Sequence, residues 1–171
     1  MTVTDRTKKL SRLGMLLALA TAIHSLESLV PFSIGWFRFG FANIIGLATL
    51  YVFGFRDAFL ITAGRILLGG LISGQFGSPG FLLAASGGLS SIMTMGYIRK
   101  LTGEFFSEPG ISVIGAVTHN LAQLLVVYVL LVKNDSILLL APAMILAAIG
   151  SGLVNGIAAK FLINRMRSHR F

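Results

Sequence analysis

Six stretches of this sequence, residues 13–30, 39–55, 58–74, 81–98, 111–132 and 137–163, consist almost wholly of apolar and small side chains. Most approach the ~20 residues with which an α-helix crosses ~30 Å of hydrocarbon. Inside that layer backbone N–H and C=O groups must pair with one another, which leaves helices and closed β-barrels as the spanning structures. A barrel strand alternates apolar and polar residues over about ten positions, and a run such as LLVVYVLLV has no period of two. Composition agrees: 12% of residues are charged, against ~25% in soluble domains, and mean hydropathy is +0.86. The expected fold is an all-α integral membrane bundle of six transmembrane helices in a lipid bilayer. It forms one domain over residues 1–171, since the longest polar interruption, residues 99–110, is only a short loop.

The net charge of +8 raises the question of a nucleic-acid ligand, but the cations gather at span edges. Arg6, Lys8, Lys9 and Arg12 precede the first span, Arg56 and Arg99–Lys100 lie in loops, and Lys160, Arg165, Arg167 and Arg170 are at the end of the last. With six spans these share one side, leaving Arg38 and Lys133 on the other and Arg65 within a span. Lys and Arg accumulate in cytoplasmic flanks, so both termini are expected in the cytoplasm, where their charges also meet anionic headgroups. No nucleic-acid partner is expected. The basic start before an apolar run, with Ala18-x-Ala20 and Ala20-x-Ala22, has the outline of a secretory leader. The run ahead of Ala22 is short for an h-region and continues into a full span, so the segment is expected to be kept.

Cysteine is absent, which removes disulfides, thiolate metal ligands and cysteine nucleophiles. His24 and Glu27, at i and i+3, share a helix face and could hold a metal or relay a proton. No second carboxylate joins them, and neither a metal nor a cofactor is expected. Gly69, Gly70, Gly74, Gly77, Pro79 and Gly80 mark a tight turn on the outer side. No Walker lysine follows them, so hydrolysis of ATP by a P-loop is excluded.

Arg65 lies about eight residues into the third apolar stretch. Arginine at the centre of a membrane helix costs ~2.5–3.5 kcal/mol on insertion scales, and such a residue is by default a functional-site hypothesis. Two readings stand: a ligand-binding cation, or a structural charge paired with Glu27. Other polar residues fall at similar depth once the topology is applied: His24, Glu27 and Ser28 in span one, Arg38 and Asn43 at the start of span two, Gln75 and Ser78 after span three. His119, Asn120 and Gln123 on span five fall within about a 100° arc, so they can face one cavity. Converging polar groups at membrane depth suggest a pocket open to the outside. Interhelical hydrogen bonds, worth perhaps ~0.6 kcal/mol each, are the alternative for this trio.

Small residues recur every four positions: Gly14, Ala18 and Ala22 on span one, Gly70 and Gly74 on span three, Gly152 and Gly156 on span six. That spacing lets backbones approach. Internal packing suffices for spans three and six, whereas a face for a partner protein competes with it on span one.

The segments LALATAIHSLESLVP, RFGFANIIGLATLYVFG, GRILLGGLISGQFGSPGFLLAASGGLSSIMTMG and SVIGAVTHNLAQLLVVYVL, together nearly the whole chain, resemble the Gx transporter family, also labelled heptaprenyl diphosphate synthase component I. The combination of Glu27, Pro31, Asn43, Arg65, Gly74, Gly87–Gly88, His119–Asn120 and Gln123 carries the resemblance. More broadly the chain resembles the substrate-binding S components of energy-coupling factor (ECF) transporters. These are six-helix proteins of prokaryotic cell membranes that capture vitamins and other micronutrients. The resemblance implies a non-enzymatic subunit that binds a small molecule on the outer side. Its partners would be a coupling transmembrane subunit and, through it, two ATPase subunits. It also implies that Ala18 and Ala22, with Gly14, face the coupling subunit. Nickel and cobalt S components carry histidine near the amino terminus, and MTVTDR departs from that pattern.

On these readings the expected ligand-binding residues are Arg65, His119, Asn120, Gln123, Glu27, Asn43, Arg38 and Gln75, and an anionic ligand group is expected because arginine binds carboxylate or phosphate bidentately. The label offers a rival, a prenyl diphosphate synthase subunit. Such chemistry needs grouped aspartates that hold Mg²⁺ on a diphosphate. The six acidic residues here, Asp5, Glu27, Asp57, Glu104, Glu108 and Asp135, are scattered. That excludes the catalytic subunit and leaves a non-catalytic accessory role. A stand-alone secondary transporter is disfavoured, with only His24, Glu27, Arg65 and His119 to carry coupling ions.

Overall fold

The computed structural model describes residues 3–29, 40–103 and 105–168. Arg38, Pro31 and Glu104 lie outside them. Among the described residues six α-helices follow one another: α1 (Val3–Leu29), α2 (Ala42–Val52), α3 (Phe55–Ile72), α4 (Pro79–Thr102), α5 (Glu108–Val126) and α6 (Ala141–Ser168). A π-helical turn, Val127–Val132, extends α5, and a 3₁₀ segment, Asp135–Leu140, leads into α6. Among the described residues, Pro79–Thr102, Glu108–Val132 and Asp135–Ser168 are long and apolar enough to cross a membrane.

Local chemistry sets the boundaries. Gly54, at φ 97°, separates α2 from α3 in a conformation that costs glycine little and other residues much. Ser78 and Ser107 cap α4 and α5 by accepting from the amides of Phe81 and Gly110, and each is followed within two residues by proline in the first turn. Lys133 at φ 50° ends the extended α5. The observed helix ends depart from the predicted spans by up to five residues in α2, α3, α4 and α6, and by more at the start of α1. α1 begins ten residues before residue 13, because Lys and Arg are good helix formers wherever water can hold their charges. α2 is shorter than residues 39–55: its 11 residues cover only about 16 Å at 1.5 Å per residue.

This short helix is the centre of the bundle. Ala42, Ile45, Gly46, Leu47, Ala48, Thr49 and Leu50 are buried on it, and it packs against α1, α3, α4 and α6. Its buried residues join a core with Ala58, Ile92, Met95, Ile111 and Ala159. A second cluster sets Ile45 against Ala20 and Ile61, and a third sets Ala48 against Ile163 and Met166. α6 shows the opposite pattern: Leu146, Val154, Ile157 and Phe161 point outward, as expected where the solvent is lipid.

Glycines set the closest approaches. A Cβ on Gly152 would lie 2.8 Å from Val113 Cα, and one on Gly156 would clash with Pro109, so α6 lies directly on the α5 backbone. Gly70 meets the Phe81 ring in the same way, whereas Gly74 serves the turn, at φ 66°. Internal packing thus accounts for the span-six pair and for Gly70.

Candidate functional site

Arg65 is 4% exposed, midway along α3. A guanidinium carries five donors in a rigid fork. Here Nη2 donates to Asn43 Oδ1 on α2 at 2.6 Å, and Nε has no hydrogen-bond partner among the described residues. The acceptor is a neutral amide, so it orients the fork without cancelling its charge. Glu27 acts on the guanidinium through its charge, while its Oε1 accepts the Phe41 amide at 2.6 Å, fixing the approach to α2. Asn43 itself is held by a turn in which its backbone amide donates to Gly40 O at 2.8 Å. Beside it, His24 lies so close to Gly69 that a Cβ there would come within 3.3 Å of Nε2.

The floor is cut from α4. Gly87 and Gly88 are consecutive, hence ~100° apart around the helix axis. A Cβ on Gly88 would lie 2.9 Å from Ile66 Cδ1 and 3.5 Å from Arg65 Nη2, while one on Gly87 would lie 2.8 Å from His119 Nε2 and 3.0 Å from Gln123 Cγ. α4 therefore carries α3 on one flank and α5 on the other, both at backbone distance. The sequence-predicted residues form two groups astride this glycine pair: Arg65, Asn43, Glu27 and His24 on one side, His119, Asn120 and Gln123 on the other.

Within the second group, two side chains join helices. Asn120 Nδ2 donates to Met144 O on α6 at 3.1 Å, and Gln123 Nε2 donates to Leu83 O on α4 at 3.3 Å. Gln123 is 2% exposed, and its Oε1 has no hydrogen-bond partner among the described residues. Gln75 lies in the turn after α3, partly buried, its backbone amide donating to Gly70 O at 2.9 Å. Arg38 is outside the described residues. Among those described, no cluster of three His, Asp or Glu side chains is arranged to hold a metal ion.

Three features escaped the sequence reading. Asn155 on α6 donates to Gly40 O at 3.3 Å, bracing the turn that carries Asn43. An isolated amide between Gly152 and Gly156 in an apolar span was the available signal. Thr62, one turn before Arg65 and 2% exposed, faces Gly46 of α2. The third is a cavity of about 850 Å³ at the far end of the bundle, lined by residues of α2, α3, α4, the α4–α5 loop, α5 and α6 but by none of the groups above.

That far end also collects the ion pairs. Lys9 Nζ meets Asp57 at 2.6 Å and Lys160 Nζ meets Glu108 at 4.0 Å. Arg99 donates to Leu50 O and stacks over the Tyr51 ring, 4.1 Å from its centroid. Gly14, Ala18 and Ala22 form an exposed stripe on α1, and a Cβ on Gly14 would meet nothing within 4 Å.

The family model described as heptaprenyl diphosphate synthase component I matches residues 16–162. No curated protein and no solved structure matches the chain.

Proposed function

The chain belongs to the heptaprenyl diphosphate synthase component I family, and from that premise we propose that it is the substrate-binding S component of an ECF-type ABC importer. In this reading it is a multi-pass protein of a prokaryotic cell membrane, with six spans and both termini cytoplasmic, and it performs no catalysis. It captures a vitamin-like or other small micronutrient bearing an anionic group, and separate subunits supply the ATP-driven step.

The observation that carries the reading is the state of Arg65. A buried guanidinium with a neutral hydrogen-bond acceptor, an Nε without a partner among the described residues, and Glu27 acting through charge keeps donors for an anion. An unmade buried hydrogen bond costs ~1–3 kcal/mol, which a carboxylate or phosphate taken bidentately would recover. The exposed Gly14–Ala18–Ala22 stripe supplies the second requirement, a flat face on which a coupling helix can lie.

The family's printed name supports a second reading, a non-catalytic membrane subunit of a polyprenyl diphosphate synthase. A stand-alone secondary transporter has only the few ionisable groups of the interior to work with.

Native mass spectrometry of the protein from its own membranes identifies the ligand. Arg65→Ala should abolish the bound species, and its retention would refute the site. Co-purification with a coupling subunit and ATPases supports the importer. Recovery only with a soluble prenyl synthase supports the second reading, and ion-driven uptake by the lone protein supports the third. Ala18→Leu or Ala22→Leu should break assembly and spare ligand binding.

A further inference from the structure

The cavity at the basic end has a chemistry of its own. Among the described residues, Arg99, Lys100 and Arg167 line it with one carboxylate, Glu108, and Glu108 already faces Lys160; Glu104 lies outside those residues. Neither Lys100 nor Arg167 has an ion-pair partner among the described residues. Arg99 is held in place by the Leu50 carbonyl and the Tyr51 ring, so its remaining donors are directed rather than free to sweep. The Tyr51 hydroxyl, buried in the same wall, has no hydrogen-bond partner among the described residues. Guanidinium and ammonium donors around one opening match the oxygens of a phosphate group.

The mouth is apolar. Tyr97, Phe55, Met93 and Phe106 line it; Tyr97 is 63% exposed, and Phe105, 86% exposed, sets its ring edge-on against Phe106. Exposed aromatic rings beside cations mark the headgroup level of a bilayer. A volume of about 850 Å³ is in the range of sites for molecules of drug size, ~300–1,000 Å³. It is far larger than a bare phosphate needs.

We propose that this cavity binds a phosphate group, delivered by the headgroup of an anionic lipid whose chains run out between the apolar side chains of the mouth. The site is separate from Arg65 and independent of what the interior binds.

The test uses the purified, delipidated full-length protein and three probes: phosphatidylglycerol, phosphatidylcholine and inorganic pyrophosphate, each titrated by native mass spectrometry. Phosphatidylglycerol should bind more tightly than phosphatidylcholine. The variant Lys100→Gln/Arg167→Gln, at exposed positions that leave the fold undisturbed, should weaken it about tenfold. Arg165→Gln, a cation outside the cavity, serves as the control. Arg99→Gln should weaken binding further, provided its melting temperature stays near that of the wild type. Equal losses in the Lys100/Arg167 variant and the Arg165 control would overturn the proposal. If pyrophosphate binds and is lost with Lys100 and Arg167 while phosphatidylglycerol does not bind, the phosphate chemistry stands and the lipid source falls.

Discussion

Arg65 and Arg99 stand on neighbouring antiparallel helices, and the chain satisfies them in opposite ways. Arg99, at the rim, donates to a backbone carbonyl and lies on a tyrosine ring. Arg65, in the interior, leans on a neutral side chain, and its Nε has no hydrogen-bond partner among the described residues. A rim arginine can draw on water, headgroups and helix ends, so its placement costs little. An interior arginine has only what neighbouring helices offer: here a neutral amide gives the guanidinium its direction, and Glu27 acts on it through charge. The difference teaches that Arg65 is placed for orientation, whereas Arg99 is placed for anchorage.

The strongest way to break that comparison is to remove the interior charge together with its acceptor. Replacing buried charge networks by apolar residues of similar volume is often neutral or stabilising by ~1–4 kcal/mol. Arg65→Met/Asn43→Leu/Glu27→Gln, in which the glutamine oxygen can still accept from the Phe41 amide, should therefore melt at or above the wild-type temperature in detergent. It should also lose the native ligand by about a hundredfold, the worth of charge-assisted hydrogen bonds of ~1.5–3 kcal/mol. A variant that unfolds would make Arg65 a structural pair, and the functional reading would fail. Arg65→Lys should not restore binding, because an ammonium lacks the planar fork.

The all-helical order of six elements was legible because long apolar runs without a period of two favour helices. Among the described residues, three of them are long and apolar enough to cross a membrane. Helix ends were less legible. Nothing in the apolar pattern says that α1 should begin at Val3, and the brevity of α2 depends on glycine dihedrals at Gly40 and Gly54. For the site, Arg65 announced itself by cost alone, and Asn43 was among the residues that the sequence singled out. What composition could not supply was the partner. Asn43 accepts the guanidinium's hydrogen bond, while Glu27, the one carboxylate at that depth, acts on the guanidinium through its charge and also accepts the Phe41 amide. Nor could spacing tell that α4 stands between Arg65 and the span-five residues, since a helix pattern records which residues share a face and not which helix that face meets.

The glycine pair sharpens the comparison at intermediate size. Gly87→Leu would drive a side chain into His119 and Gln123, and Gly88→Leu into Ile66 and Arg65. Overpacking of this kind costs ~1–3 kcal/mol. Both variants should lower the melting temperature, but only Gly88→Leu should do so while displacing the guanidinium. If ligand binding falls equally in both at matched folded fractions, the α5 group belongs to the same pocket as Arg65. A selective loss in Gly88→Leu confines the pocket to the α2–α3 side. At the rim, Gly96 against the Phe55 ring provides the matching control, since crowding there touches neither group.

The smallest expected effect belongs to Asn120. Its amide donates to Met144 O, and interhelical hydrogen bonds in membrane proteins average ~0.6 kcal/mol with a maximum near ~1.7. Asn120→Ala should therefore shift stability by about that amount and leave ligand affinity within about twofold. The same reasoning holds for Gln123→Leu through its bond to Leu83 O, with one difference. Gln123 Oε1 is buried without a hydrogen-bond partner among the described residues, so removing the whole amide also removes that acceptor, and the two contributions offset. Gln123→Leu should then be nearly neutral in stability. If either substitution abolishes binding while the melting temperature holds, the amide is reading the ligand and the interior site extends across α4. If stability moves and binding does not, α5 is a strut, and the chemistry of the interior rests on Arg65 and Asn43.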